Sequence, residues 1–174
     1  MWIMEAVKPL NMSVFERANA RQQQLTKPAG SLGRLETLAV RMAARQGILK
    51  PTIDKIHITV FAGDHGVAEE GVSAFPQAVT AEMVKNFSRG GAAIAVLSKD
   101  MCAHFEVVDV GVATDLPDMP NLIKAKIASG TQNFAQGPAM TAIQCDEALN
   151  VGRKVVWTAQ QQGAELFIAG EMGI

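Results

Sequence analysis

A carboxylate and an imidazole stand side by side at Asp64-His65, bracketed by Gly63 and Gly66. Histidine titrates near neutrality, so the pair suits acid–base work or substrate contact. A metal role meets an objection, because adjacent side chains diverge and no third ligand is apparent. An architectural role is also open, in which Asp64 bonds loop N–H groups and His65 donates to it. Farther on, Ser73 and Phe75 follow in the loop Glu69-Glu70-Gly71-Val72-Ser73-Ala74-Phe75. Glu171, set between Gly170 and Gly173, is a second carboxylate without a local duty that asparagine or aspartate would serve less well. The two glycines suggest a turn into a helix whose free N–H groups would cradle a phosphate.

These residues need a scaffold. Ile56–Ala62 is a short apolar run rich in β-branched residues, the pattern of a buried strand. His104–Val110 and Leu166–Ala169 repeat it, and each runs into polar, glycine-bearing sequence: Asp109-Val110-Gly111 and Gly170-Glu171. Helical patterns intervene. Pro76 opens one with Val79, Met83 and Phe87 on a face, and a second runs from Ala92 to Lys99 after Ser88-Arg89-Gly90-Gly91. A third spans about Thr141 to Gln162, where Gly152 suggests close packing on a sheet. Ile123–Ile127 reads as either a short strand or an edge piece, and residues 129–138 as a surface loop. Such alternation predicts an α/β fold with a mostly parallel, Rossmann-like sheet flanked by helices. Ligands of such sheets bind beyond the carboxyl ends of the strands, where Asp64, His65, Ser73, Phe75, Asp109 and Glu171 would gather.

Ahead of any strand lie two helical stretches, Ser13–Gln24 and one capped by Ser31 with Leu35, Leu38, Ala39, Met42 and Ala43 as its apolar stripe. The chain therefore reads as residues 1–50, an N-terminal helical segment belonging to a small helical subdomain, and 51–174, the first part of an α/β substrate-binding domain.

Composition narrows the function. The 174 residues carry a net charge of −1, which offers no basic field to nucleic acid or to an anionic membrane. No apolar run is long enough to span a bilayer, and the N-terminus lacks the marks of a secretory signal. Cys102 and Cys145 read as free, buried thiols of a reducing cytoplasm. Lys27–Arg34 is glycine-bearing but follows no strand and lacks the GK[ST] ending of a phosphate loop. Val107-Val108-Asp109 lacks the paired acidic residues of diphosphoribosyl-binding transferases.

Several stretches, in order, resemble the nicotinate-nucleotide–dimethylbenzimidazole phosphoribosyltransferase family. They are Leu25-Thr26-Lys27-Pro28 with Gly30–Glu36, Ala62–Val67 with Glu70–Ser73, Pro76, Val79-Thr80, Arg89-Gly90-Gly91 and Asp109-Val110-Gly111. Gly130-Thr131 with Asn133, Gly137-Pro138-Ala139-Met140 and Gly170-Glu171-Met172-Gly173 complete the set. The resemblance implies transfer of phosphoribose from nicotinate mononucleotide to 5,6-dimethylbenzimidazole, giving α-ribazole 5'-phosphate and nicotinate in cobalamin lower-ligand synthesis. It implies no cofactor and no metal. It assigns Glu171 as a supporting catalytic carboxylate, with the general base beyond residue 174. Phe75 and Met83 align with the base pocket, Glu171 and Met172 with the turn facing nucleotide and base, and Gly173 with the phosphate turn. Asp64, His65, Ser73 and Asp109 join these as substrate-binding candidates.

Family members continue well past Gly173, so the chain is expected to be the N-terminal portion of the enzyme, inactive alone and either dimeric or self-associating. Two other readings compete. One is a non-catalytic base- or nucleotide-binding fragment; the other is a metal-dependent hydrolase built on Asp64-His65, against which the missing third ligand speaks.

Overall fold

The computed structural model describes residues 2–174, which fall into two compact units divided between Ile53 and Asp54. In the first unit, α1 (Met12–Gln22) begins at Asn11, whose side chain accepts the N–H of Val14. Helix α2 (Arg34–Gln46) starts after Gly33 rather than from a Ser31 cap. In place of that cap, the Glu36 carboxylate accepts the Leu32 N–H at 3.2 Å and the Lys27 ammonium at 2.6 Å. The face that α2 buries is also not the expected one. Val14 and Ala18 pack with Val40 and Ala43, while Leu35 and Leu38 are exposed. The helix is apolar on two sides, and alanines let α1 approach closely on the less bulky one.

The second unit is a four-stranded, all-parallel sheet in the order β3-β2-β1-β4. Its strands are β1 (Ile56–Gly63), β2 (His104–Gly111), β3 (Leu122–Lys124) and β4 (Leu166–Met172). Helices α3 (Ala78–Ser88) and α4 (Ala93–Asp100) join β1 to β2, and α5 (Ala142–Gln161) joins β3 to β4. Right-handed crossovers in opposite directions along the sheet put these on opposite faces. Alternation along β1 serves both: Val60 and Ala62 pack with Val107, Ala81, Val84, Phe87, Ala92 and Ala95, while His57 and Thr59 are buried on the other side. Each large aliphatic or aromatic side chain so buried contributes roughly 1.5–3 kcal/mol.

Three expectations need correction. The face of α3 that is buried is Thr80, Ala81, Val84 and Phe87, one residue round from Val79 and Met83. A methyl group added at Gly152 would meet nothing within 4 Å, so that glycine marks no close approach. Cys102 and Cys145 are both exposed. Thr141 does start α5, through a reciprocal capping box with Gln144.

Candidate functional site

The carboxyl end of the sheet is shaped by an irregularity. Between Ala62 and Gly63 the β1–β2 register jumps from Asp109 to Gly111, passing over Val110. A bulge of this kind twists the strand ends and re-aims the side chains that follow. Asp109, 2 % exposed, turns back on its own loop, where one carboxylate oxygen accepts the N–H groups of Gly111 and Val112 at 3.1 and 2.8 Å. This is the architectural role for an aspartate at a strand end, and Asp109 does not line the cavity beside Asp64.

Asp64 is equally buried but differently engaged. Its Oδ2 accepts the Ala113 N–H at 2.7 Å, and its carbonyl accepts the Thr131 N–H at 3.0 Å. Its Oδ1 is buried with no hydrogen-bond partner among the described residues. A bare buried carboxylate oxygen costs roughly 1–3 kcal/mol or more. Asp64 and His65 line a cavity of about 160 Å³ whose other walls include Gly130, Thr131, Ala139, Met140 and Gln144. A mostly apolar slot walled also by His65, Thr131 and Gln144 suits a flat ligand that carries a few polar groups.

Residues 129–138 do more than cross the surface. The Gly66 N–H reaches the Thr131 carbonyl at 3.1 Å, and Asn133, itself buried, donates to Glu70 at 2.6 Å. A Cβ on Gly66 would sit 2.5 Å from the Asn133 nitrogen and 2.7 Å from the Thr131 carbonyl oxygen. Only glycine permits this contact between two backbones.

The carboxylate of Glu171 arrives by an unexpected route. Strand β4 continues through Gly170, Glu171 and Met172, so Glu171 lies in a strand, paired with Phe61, and not in a turn. Met172 pairs with Ala62 and shares the Asp109 face, whereas Glu171 projects from the opposite one. Asp64, Asp109 and Glu171 thus share one edge without forming one cluster. Glu171 Oε1 and His65 Nε2 instead meet over Gly173, 2.9 and 3.1 Å from where a Cβ would be, and the Gly63 carbonyl oxygen presses on the same point.

Among the other expected residues, Ser73 accepts the Phe75 N–H within its own turn, and Phe75 is 66 % exposed. Met83 is partly buried and packs against the hydrophobic core. Sequence reasoning assigned no role to Gln77, whose amide donates to the carbonyls of His65 at 2.8 Å and Ile174 at 3.3 Å. Thr131, Ala139 and Met140 lay in recognised motifs, yet nothing in their types announced that they would wall a cavity.

The family model described as phosphoribosyltransferase matches residues 7–174. A nicotinate-nucleotide–dimethylbenzimidazole phosphoribosyltransferase of Pseudomonas putida W619 is 54% identical over 99% of this chain and 49% of its own. Its namesake from Pseudomonas aeruginosa UCBPP-PA14 is 51% identical over the same shares. A solved structure of the enzyme so named from Thermus thermophilus superposes with a TM-score of 0.90 at 49% identity, covering 95% of this chain and 50% of that one. The chain spans about half the length of the curated relatives it matches.

Proposed function

The chain belongs to the phosphoribosyltransferase family whose model covers residues 7–174, and from that premise we propose that it serves transfer of phosphoribose from nicotinate mononucleotide to 5,6-dimethylbenzimidazole. In this reaction a ring nitrogen of the benzimidazole attacks C1' of the ribose. The bond from C1' to the nicotinate nitrogen breaks, and the benzimidazole N–H proton leaves to a base.

The observation that carries the reading is the mostly apolar cavity lined by Asp64, His65, Thr131 and Gln144, where Asp64 also keeps a buried carboxylate oxygen without a partner. The benzimidazole is flat, apolar and carries one N–H. His65 and Glu171 converge above Gly173, where a carboxylate stabilises positive charge developing at the ribose. Phe75, exposed beside this edge, closes over bound base. Asp109 is held in its own turn by two backbone N–H groups, and in this reading the general base lies beyond residue 174, as the resemblance implies. The 174-residue chain accordingly binds substrate without turning it over.

The reading places the reaction in the cytoplasm, where the exposed thiols of Cys102 and Cys145 stay reduced. It has the chain self-associate through exposed apolar side chains such as Leu35 and Leu38, which size-exclusion chromatography tests. Calorimetric titration of the folded chain with dimethylbenzimidazole tests the main claim, and incubation with both substrates tests the absence of turnover. Heat of binding without α-ribazole phosphate is expected. A folded chain that binds neither substrate would overturn the assignment, and turnover would show that the base lies within these residues.

A further inference from the structure

At the opposite, amino end of the sheet, β1 and β2 bring together three side chains that the proposed reaction does not use. The register sets His57 beside His104 and Thr59 beside Glu106, so all four project from one face. The His57 and His104 rings are 4.3 Å apart, centre to centre. Both Nε2 atoms turn to the Glu106 carboxylate, His57 to Oε1 at 3.1 Å and His104 to Oε2 at 3.4 Å. One ligand atom from each of the three lies within 4.8 Å of the others.

We propose that His57, His104 and Glu106 form a binding site for a divalent transition-metal cation of the zinc type. Zinc takes nitrogen and carboxylate oxygen at about 2.0–2.2 Å, which makes the ligand–ligand edge of a tetrahedron roughly 3.4 Å. The two nitrogen–oxygen distances, 3.1 and 3.4 Å, run to different oxygens of Glu106, and with one atom taken from each residue the set spans up to 4.8 Å, so it must tighten to bind. It closes by rotation of His104, whose side chain is 51% exposed, while the His57 side chain at 3% stays fixed. Two imidazoles and one carboxylate favour zinc over calcium or magnesium, which prefer all-oxygen sets.

The surroundings support a ligand set with one position open. His57 and His104 border a cavity of about 200 Å³ that also touches Cys102, Asp54 and Lys55, so one carboxylate and one ammonium offset each other around it. The Thr59 hydroxyl donates to Glu106 Oε1 at 3.0 Å and fixes the carboxylate, the kind of outer contact that orients metal ligands. A cation here clamps the two central strands together at the end remote from Asp64. The sequence hides the site, since His57 and His104 are 47 residues apart and meet only through strand pairing.

The test uses the full chain, stripped with chelator and dialysed against zinc, with cobalt(II) as a spectroscopic substitute. One zinc per chain, a raised melting temperature and visible tetrahedral cobalt bands are expected. His104→Ala removes an exposed ring and should lower zinc affinity by at least about 100-fold, since even losing an outer-shell partner costs 10–100-fold. Equal zinc binding by His104→Ala and the unaltered chain overturns the proposal. So does the absence of tetrahedral cobalt bands from the unaltered protein, a result that depends on no variant and would leave a hydrogen-bond network only.

Discussion

The two ends of the sheet bury carboxylates in opposite ways. At the amino end Glu106 receives His57, Thr59 and His104, all from the two strands that carry it. At the carboxyl end Asp64, which lines a cavity, is tied to Ala113 by one oxygen and leaves the other buried without a partner. Its partners are Gly111 at the end of β2, Ala113 just after it and Thr131 of the 129–138 loop, parts far apart in sequence. A carboxylate satisfied within its own strands stabilises the fold directly. One left partly unsatisfied forgoes roughly 1–3 kcal/mol, and a ligand recovers it on binding.

Substitutions at the two ends should therefore fail differently. The largest effect is expected for Gly66→Ala, which drives a methyl group into the backbone at Asn133. Overpacking against unyielding atoms costs about 3 kcal/mol, read as a lowered melting temperature. Glu106→Ala strands the Thr59 hydroxyl and the buried His57 and should cost about 2 kcal/mol in urea unfolding, with substrate binding little changed. Asp64→Asn keeps an oxygen for Ala113 and should cost no more than about 1 kcal/mol of stability, yet weaken dimethylbenzimidazole binding at least about tenfold. If Asp64→Asn lost stability as Glu106→Ala does and left binding intact, the contrast between the ends would collapse. Phe75→Asp, on an exposed ring, should shift stability by under about 0.5 kcal/mol while weakening benzimidazole binding more than nicotinate mononucleotide binding.

The smallest effect lies outside the sheet. The Lys27 ammonium, and after it the Leu32 N–H, hold the Glu36 carboxyl below its ordinary 4.5. Since the folded state binds this proton less readily than the unfolded one, the contact supports the helical unit fully above that ordinary value. The support fades as pH falls through the lowered folded value. Carbon-13 titration of Glu36 should show the depression, and Lys27→Met should remove most of it.

The strands were legible because their β-branched runs are short and bounded by glycine, and their parallel order set the carboxyl edge where Asp64, Asp109 and Glu171 lie. Boundaries and faces were less so. Gly170 reads as a turn residue, yet β1 offers a free edge and the sheet carries β4 on through Glu171. Leu35 and Leu38 satisfy helical periodicity, but alanine packing against α1 decides which side is buried. Asp64 and Asp109 are the same residue type at equivalent strand ends. Only the backbone geometry around each makes one a turn former and the other a cavity wall. Gln77 gave no signal at all, because its role is to bond two carbonyls that tertiary structure brings to it.

The position of β1 has a consequence for the order of assembly. Its two partners are β2, reached through α3 and α4, and β4, which follows β3 and α5. The Lys55–Glu165 contact at the start of the β1–β4 pairing spans 110 residues. Closing so long a loop is slow, and its entropic cost must be met before the pairing returns any stability. On a growing chain, then, Asp64 can find Ala113 and Thr131 early, whereas His65 and Gln77 gain their bonds to Ile174 only when the last strand arrives. The Glu171 side of this edge matures after the Asp64 side.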